Sequence, residues 1–244
     1  MTLYDMHCHL DFMDDAPKAV AEARGIACYS VTVTPRDYER AACMLHPFES
    51  VRVGLGLHPW WIADGSCGAE DISLFEDLAQ QTAFIGEVGL DFGKRCEGSQ
   101  DVQLLAFERV LATCAQGSKV LSIHAVKAVS TLLDLLEQRT ATEKNACILH
   151  WFSGSSDELQ RAIRLGCYFS VGPRMIASKR GRAYVQAMPR DRILLETDAP
   201  SAPGESVSLE EIERMLADTL EEIERLRGES IADCIAQTSE RLLS

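Results

Sequence analysis

The sequence contains no apolar run long enough to cross a bilayer, which excludes a membrane-spanning helix. No basic stretch followed by an apolar one stands at the N-terminus, so no secretory leader is expected. Neither a G-x-G-x-x-G nor a P-loop occurs, which removes the usual nucleotide-binding fingerprints. No C-x-x-C pair is found among the nine cysteines, at 8, 28, 43, 67, 96, 114, 147, 167 and 234. An odd count without that spacing argues against a disulfide framework and against a zinc ribbon. A reducing, cytoplasmic setting fits best. Internal repeats, low-complexity tracts and linkers are also absent, so a single domain over residues 1–244 is expected. Positive charge is scarce, with 24 Lys and Arg against 37 Asp and Glu and a net charge of -13. Such a field repels a long polyanion unless a local basic patch or bound metal ions offset it.

What is present is alternation. Short apolar runs rich in β-branched residues are followed by longer amphipathic ones. Eight strands are expected, at Leu3–His9, Cys28–Thr34, Arg52–Leu57, Ala83–Val88, Val120–His124, Ala146–His150, Cys167–Val171 and Arg192–Glu196. Helices are expected at 17–24, Pro35–Leu45, Asp71–Gln81, Asp101–Gln116, Val126–Gln138, Ser156–Leu165, Ala177–Ala187, Ser208–Leu226 and Ser230–Leu242. Pro35 suits a first helical turn, Gly166 a C-cap, and Ser208 with Glu211 a capping box. Ala63–Glu70 and Pro200–Val207 read as loops. This pattern predicts an α/β fold, a TIM-like (β/α)8 barrel, with an open doubly wound sheet as the alternative.

In such a barrel, chemistry gathers at the C-terminal ends of the strands. His7 and His9 end the first strand, and the third runs into His58. Glu87 ends the fourth, with Asp91 just beyond. His124, His150 and then Glu196 with Asp198 end the fifth, sixth and eighth. Five of the six histidines therefore fall at strand ends. Imidazole and carboxylate suit Zn²⁺ and similar ions. Strand alternation turns His7 and His9 to one side and Cys8 to the other, so the H-x-H pair can serve one ion while Cys8 packs. Taken singly, each residue also has a structural reading as a hydrogen-bonded core group. Together they point to a site.

At these residues the sequence resembles the TatD family of metal-dependent hydrolases, within the wider amidohydrolase-like barrels. The resemblance is carried by "DMHCHLDF" at 5–12, "VGLGLHPWW" at 53–61, "FIGEVGLDF" at 84–92, "LSIHAVKA" at 121–128, "ILHWFSGS" at 148–155, "GCYFSVGP" at 166–173 and "ILLETDAPS" at 193–201. It implies two divalent ions, which the ligand types leave open as Zn²⁺, Mn²⁺ or Mg²⁺. His7, His9 and Asp198 would hold the first, His124 and His150 the second, and Glu87 would bridge them. Glu87 and Asp198 are the implied catalytic residues, with Asp198 placed to orient a water and take its proton. His58 and Arg174 are candidate substrate contacts. Asp5 and Glu196 are candidates to fix ring tautomers or neighbouring backbone. Asp91 is divided between that role and turn chemistry.

The substrate-facing cations depart from the pattern. Relatives often read "HPH" where this chain has "HPWW", so Trp60 and Trp61 stand either as a stacking surface or as a cap over the barrel mouth. An arginine expected after His124 is missing, with Lys127 a shifted substitute, and the loop after "ETDAP" is acidic. The remaining cation candidates are Lys94, Arg95, Arg174, Lys179, Arg180 and Arg182. The resemblance implies a phosphodiesterase, in particular a 3′-to-5′ exodeoxyribonuclease acting on a single-stranded DNA end. The alternative is a two-metal hydrolase of a small amide, ester or phosphoester. No membrane or obligate protein partner is implied.

Overall fold

The computed structural model describes residues 2–16, 18–19 and 25–244. Eight parallel strands follow one another in chain order around a ring: β1 (Leu3–Cys8), β2 (Ile26–Val31), β3 (Val51–Leu57), β4 (Phe84–Asp91), β5 (Val120–Val126), β6 (Ala146–His150), β7 (Tyr168–Val171) and β8 (Ile193–Leu195). The ring closes just past the strand ends. There the Asp198 N–H donates to His7 O and the His9 N–H to Ala199 O, both at 2.9 Å. The barrel expected from the alternation is therefore the fold, and the open sheet is not. The helix expected at 17–24 lies largely outside the described residues.

Alternation within each strand sorts side chains between the lumen and the helical shell. In β5, Leu121 and Ile123 pack outward, while Val120 belongs to the lumen and Ser122 bonds His7 across it. Cys147 and Leu149 of β6 pack outward and Ile148 inward, and Phe169 and Val171 of β7 outward and Tyr168 inward. The lumen is thus graded. Met6, Tyr29, Val31, Ile148 and Leu194 fill its lower part, and Leu242 and Leu243 of the last helix (Ala232–Leu243) close it from below. Polar side chains occupy the upper end. A register shift between Asp5 and Cys8 interrupts β1. Cys8 joins the outer core and its thiol donates to Tyr29 O at 3.7 Å.

The shell follows local rules. Thr34 caps the helix Pro35–Leu45 by accepting from the Asp37 N–H at 3.1 Å, and Pro35 loses nothing in the first turn. The Ser208–Glu211 capping box opens the helix Leu209–Arg227. In the helix Val129–Gln138, Leu132, Leu133 and Leu136 are fully buried, each contributing about 1.5–3 kcal/mol by leaving water.

Two differences bear on the site. Strand β4 runs three residues beyond its expected end, to Asp91. Gly89 makes that possible: at φ 140°, a Cβ there would stand 2.0 Å from His124 O. Glycine reads as a strand breaker in sequence, yet here it admits the neighbouring strand. Further, residues Pro59–Ala63, where no helix is expected, form a short one capped by His58, whose Nδ1 accepts from the Trp60 N–H at 3.1 Å.

Tyr29 anchors the lower lumen. It is fully buried, and its hydroxyl donates to Ile85 O at 2.7 Å with Val120 O at 3.0 Å. Tyr29→Phe keeps the ring and strands these carbonyls. It should cost about 1–2 kcal/mol in urea denaturation, with the metal content of the purified protein unchanged because the site lies at the other end.

Candidate metal centre

Glu87, at 4% exposure on β4, is the hub of the upper lumen. Its Oε1 stands 2.8 Å from His124 Nδ1, 3.0 Å from His150 Nε2 and 3.1 Å from His58 Nε2. Its Oε2 faces His7 Nε2 at 3.5 Å and His9 Nε2 at 3.7 Å. Asp198 Oδ1 completes that second side, 3.4 Å from His9 Nε2 and 3.7 Å from His7 Nε2. Asp198 sits just past β8 at φ 55°, a left-handed conformation that aspartate tolerates better than most residues.

The Oε2 side has the spacing of a metal cage. Ligand atoms about 2.1 Å from one centre at tetrahedral angles stand about 3.4 Å apart. The four nitrogen–oxygen separations from His7 Nε2 and His9 Nε2 to Glu87 Oε2 and Asp198 Oδ1 run from 3.4 to 3.7 Å. His7 Nε2 is buried with no hydrogen-bond partner among the described residues. Leaving such an atom unsatisfied costs about 1–3 kcal/mol. A cation at the centre would satisfy it and both carboxylates. The residues present therefore fit a divalent ion. On the Oε1 side the distances are those of hydrogen bonds, and the ligand-type group there is His58, Glu87 and His124.

Neighbours fix the rings. His9 Nδ1 lies 3.0 Å from Val31 O, a carbonyl that can only accept, so Nδ1 carries a proton and Nε2 faces the carboxylates. His58 accepts at Nδ1, so its Nε2–H donates to Glu87. His124 Nε2 lies 3.2 Å from Asp91 Oδ2. His7 Nδ1 lies 2.7 Å from Ser122 Oγ. Glu196 accepts from Ser170 Oγ at 2.5 Å and from the Trp151 N–H at 3.1 Å, and its Oε2 stands 3.8 Å from His150 Nδ1. Asp5 holds backbone: it accepts from the Thr197 N–H at 3.0 Å and the Thr197 hydroxyl at 2.5 Å. Asp91 combines both of its expected roles, holding His124 and accepting from the Gly93 N–H at 2.7 Å.

Charge is steeply organised. Burial pushes the Glu87 carboxyl up, but the rings of His58, His150 and His7 outweigh it and hold it well below the usual range. Asp198 is likewise held at about 2, burial being overcome by His9 and His7. Burial, with His150 beside it, lowers His7 to about 4. For His9 and His124 burial also opposes the charged ring, but Asp198 and Glu87 raise the first to about 9, and Asp91 and Glu87 raise the second to about 9.

Above the hub opens a cavity of ≈ 660 Å³. Trp60 and Arg95 line one wall, and Trp151, Arg174 and Arg180 another. Arg95 lies over the Trp60 ring with its Cζ 3.9 Å from the centroid, and Arg174 over Trp151 at 5.3 Å. Arg174 also donates to Asp198 Oδ2 at 2.9 Å and to Ser201 Oγ at 2.6 Å. Arg182 instead donates to Ile176 O and Ala177 O, tying down the turn before its helix. Lys94, Lys127 and Lys179 are exposed and do not line the cavity. Of the six cation candidates, Arg95, Arg174 and Arg180 thus reach it. His58 lines its floor, 3% exposed and turned to Glu87.

A closed barrel with buried imidazoles and carboxylates converging at its C-terminal mouth defines a hydrolase of the metal-dependent class. The sequence profile described as TatD related DNase matches residues 4–244, and the chain belongs to that family. It is 33% identical over 199 residues to the 3'-5' ssDNA/RNA exonuclease TatD of Dickeya dadantii (strain 3937), covering 78% of this chain and 74% of that protein. It is 26% identical to the Deoxyribonuclease TATDN3 of Homo sapiens, covering 99% and 93%. Among solved structures, YJJV, a TatD homolog from Escherichia coli, superposes with a TM-score of 0.82 at 21% identity over 98% of this chain and 97% of that one, and shares the fold.

The raised histidines give a pH signature. Their values climb from 6.5 to about 9, so their stabilisation is full below pH 6.5 and is lost as pH rises through 9. Metal must displace the same protons, so metal affinity should rise over that range. In scanning calorimetry, chelator-treated protein should lose melting temperature between pH 7 and 9.5. Protein with stoichiometric Zn²⁺ should not. Parallel curves would contradict the assignment.

Proposed function

We propose that this protein is a two-metal phosphodiesterase that removes nucleotides from the 3′ end of single-stranded nucleic acid, with residues 1–244 as one catalytic unit. The observation that carries the reading is Glu87, one carboxylate whose two oxygens face two separate sets of imidazoles. The name of the Dickeya dadantii relative, a 3'-5' ssDNA/RNA exonuclease, supports the substrate class.

In this reading His7, His9 and Asp198 would hold one ion and His124 and His150 the other, with Glu87 available to both. The imidazole-rich set favours Zn²⁺ over Mg²⁺. Bound ions would supply a water of lowered pKa and charge stabilisation for the phosphate oxygens. Asp198, ionised at any working pH, accepts a hydrogen bond from the attacking water and orients it, since a group held at about 2 is a weak base. His58 serves Glu87 through its Nε2–H in place of a direct phosphate contact. Arg174 has used two of its donors on Asp198 and Ser201 and offers the rest to a phosphate. Arg95 and Arg180, which have no carboxylate partner among the described residues, extend a cationic rim on an acidic protein. The nine free cysteines, seven of them buried, support a reducing compartment. No described helix is long and apolar enough to cross a membrane.

A 5′-labelled single-stranded oligonucleotide should shorten stepwise from its 3′ end with Zn²⁺ or Mn²⁺. Glu87→Gln should lower the rate by at least ~100-fold, and Arg174→Ala should raise KM about tenfold, with a smaller change in kcat. Because roughly three phosphates can be met at the rim, log(kcat/KM) should fall with log[salt] at a slope of about -2. The net charge of -13 favours a second reading, hydrolysis of a small ester, amide or phosphoester. No shortening with Zn²⁺, Mn²⁺ or Mg²⁺ at low salt, together with turnover of such a compound, would replace the first reading by the second.

A further inference from the structure

We propose that Trp60 is a positioning residue for the His124 half of the centre, an inference that rests on the two-ion reading above. Trp60 uses both of its N–H groups on the site. Its backbone N–H donates to His58 Nδ1 at 3.1 Å, which leaves the protonated Nε2 of His58 facing Glu87 Oε1. Its indole N–H donates to Asp91 Oδ2 at 2.6 Å. That oxygen also meets His124 Nε2 at 3.2 Å. With Nε2 committed to Asp91, His124 turns Nδ1 toward Glu87 Oε1 and His150 Nε2, at 2.8 and 3.3 Å. One residue therefore orients two of the three rings on Glu87 Oε1, His58 through its backbone and His124 through its side chain.

The support behind it is rigid. Asp91 is 4% exposed. Its N–H donates to the Gln103 amide oxygen at 2.7 Å, and the Gln103 amide nitrogen donates back to Asp91 O at 2.8 Å. The Gly93 N–H holds its other carboxylate oxygen. Trp60 is the outermost member of the line and borders the cavity. Arg95 covers its ring at 3.9 Å and screens the indole–carboxylate bond from water. Without the indole N–H, cavity water reaches Asp91 Oδ2 and competes for the bond that aims His124. Partners of this kind behind a ligand typically govern its affinity for metal. Among the described residues the hydrogen bonds and ring contacts of Trp60 reach His58, Asp91, Trp61 and His124 and not His7, His9 or Asp198, so the effect belongs to one half only.

The test is calorimetric titration of Zn²⁺ into chelator-treated full-length protein. His124→Ala marks which of two binding events belongs to the His124 half. Trp60→Phe keeps a ring beneath Arg95 and removes the indole N–H. It should weaken that event on the order of 10- to 100-fold and leave the other unchanged. Asp91→Asn should reproduce the split, and Trp61→Phe, whose ring does not bond Asp91, should alter neither event. Should Trp60→Phe pack poorly, benzothienylalanine at position 60 replaces the N–H by sulfur in the same shape and should give the same split. Wild-type behaviour of both position-60 variants would overturn the proposal. So would equal weakening of both events, which would reduce Trp60 to a support of the fold. If His124→Ala alters neither event, the two-ion reading fails and the inference falls with it.

Discussion

Everything at the mouth of this barrel is arranged around one buried negative charge. A carboxylate as enclosed as that of Glu87 cannot persist ionised without compensation. Five imidazoles supply it, three on one oxygen and two on the other. Four of the rings have their far nitrogen directed in turn, by Val31 O, Ser122, Asp91 and the Trp60 backbone, while that of His150 faces Glu196 at 3.8 Å. The polarity of the upper lumen is the visible result. The apolar lower lumen is its counterpart, because the packing of Met6, Tyr29, Ile148 and Leu194 has to offset what the charged layer costs.

The arrangement is stressed in a way that favours ligation. His9 and His124 are held charged by carboxylates, and His7 is held neutral between them. Such a cluster stores unfavourable desolvation that a divalent ion relieves. An ion bound there would therefore raise stability as well as supply chemistry.

The ligand-type residues were legible in the sequence because each ends an apolar run, and alternation within a strand fixes which side of it they take. His7, His9, Glu87, His124, His150 and Asp198 all carry that signal, and the structure brings all six together. What surrounds them was legible only in part: Asp5 and Asp91 stood out, but not the groups that hold them. The Asp91–Trp60 bond depends on β4 continuing through Gly89 and on a five-residue helix too short to show a period. Among the basic residues, spacing does not reveal partners. Arg182 is spent on backbone carbonyls while Arg95 lies on an indole at the rim, and nothing local distinguishes them.

The closure of the barrel has a consequence in time. Asp5 and Thr197, bonded at the seam, are 192 residues apart, and Asp198 donates its backbone N–H to His7 beside them. A chain emerging from the ribosome has all of the site's histidines and Glu87 once His150 is made, yet it lacks the last strand and the final carboxylate. Ligands can gather early, but the cage that spans the seam exists only when the two ends of the ring meet. A chain that stops before Asp198 therefore lacks one member of the set, and only the segment just past the eighth strand completes it.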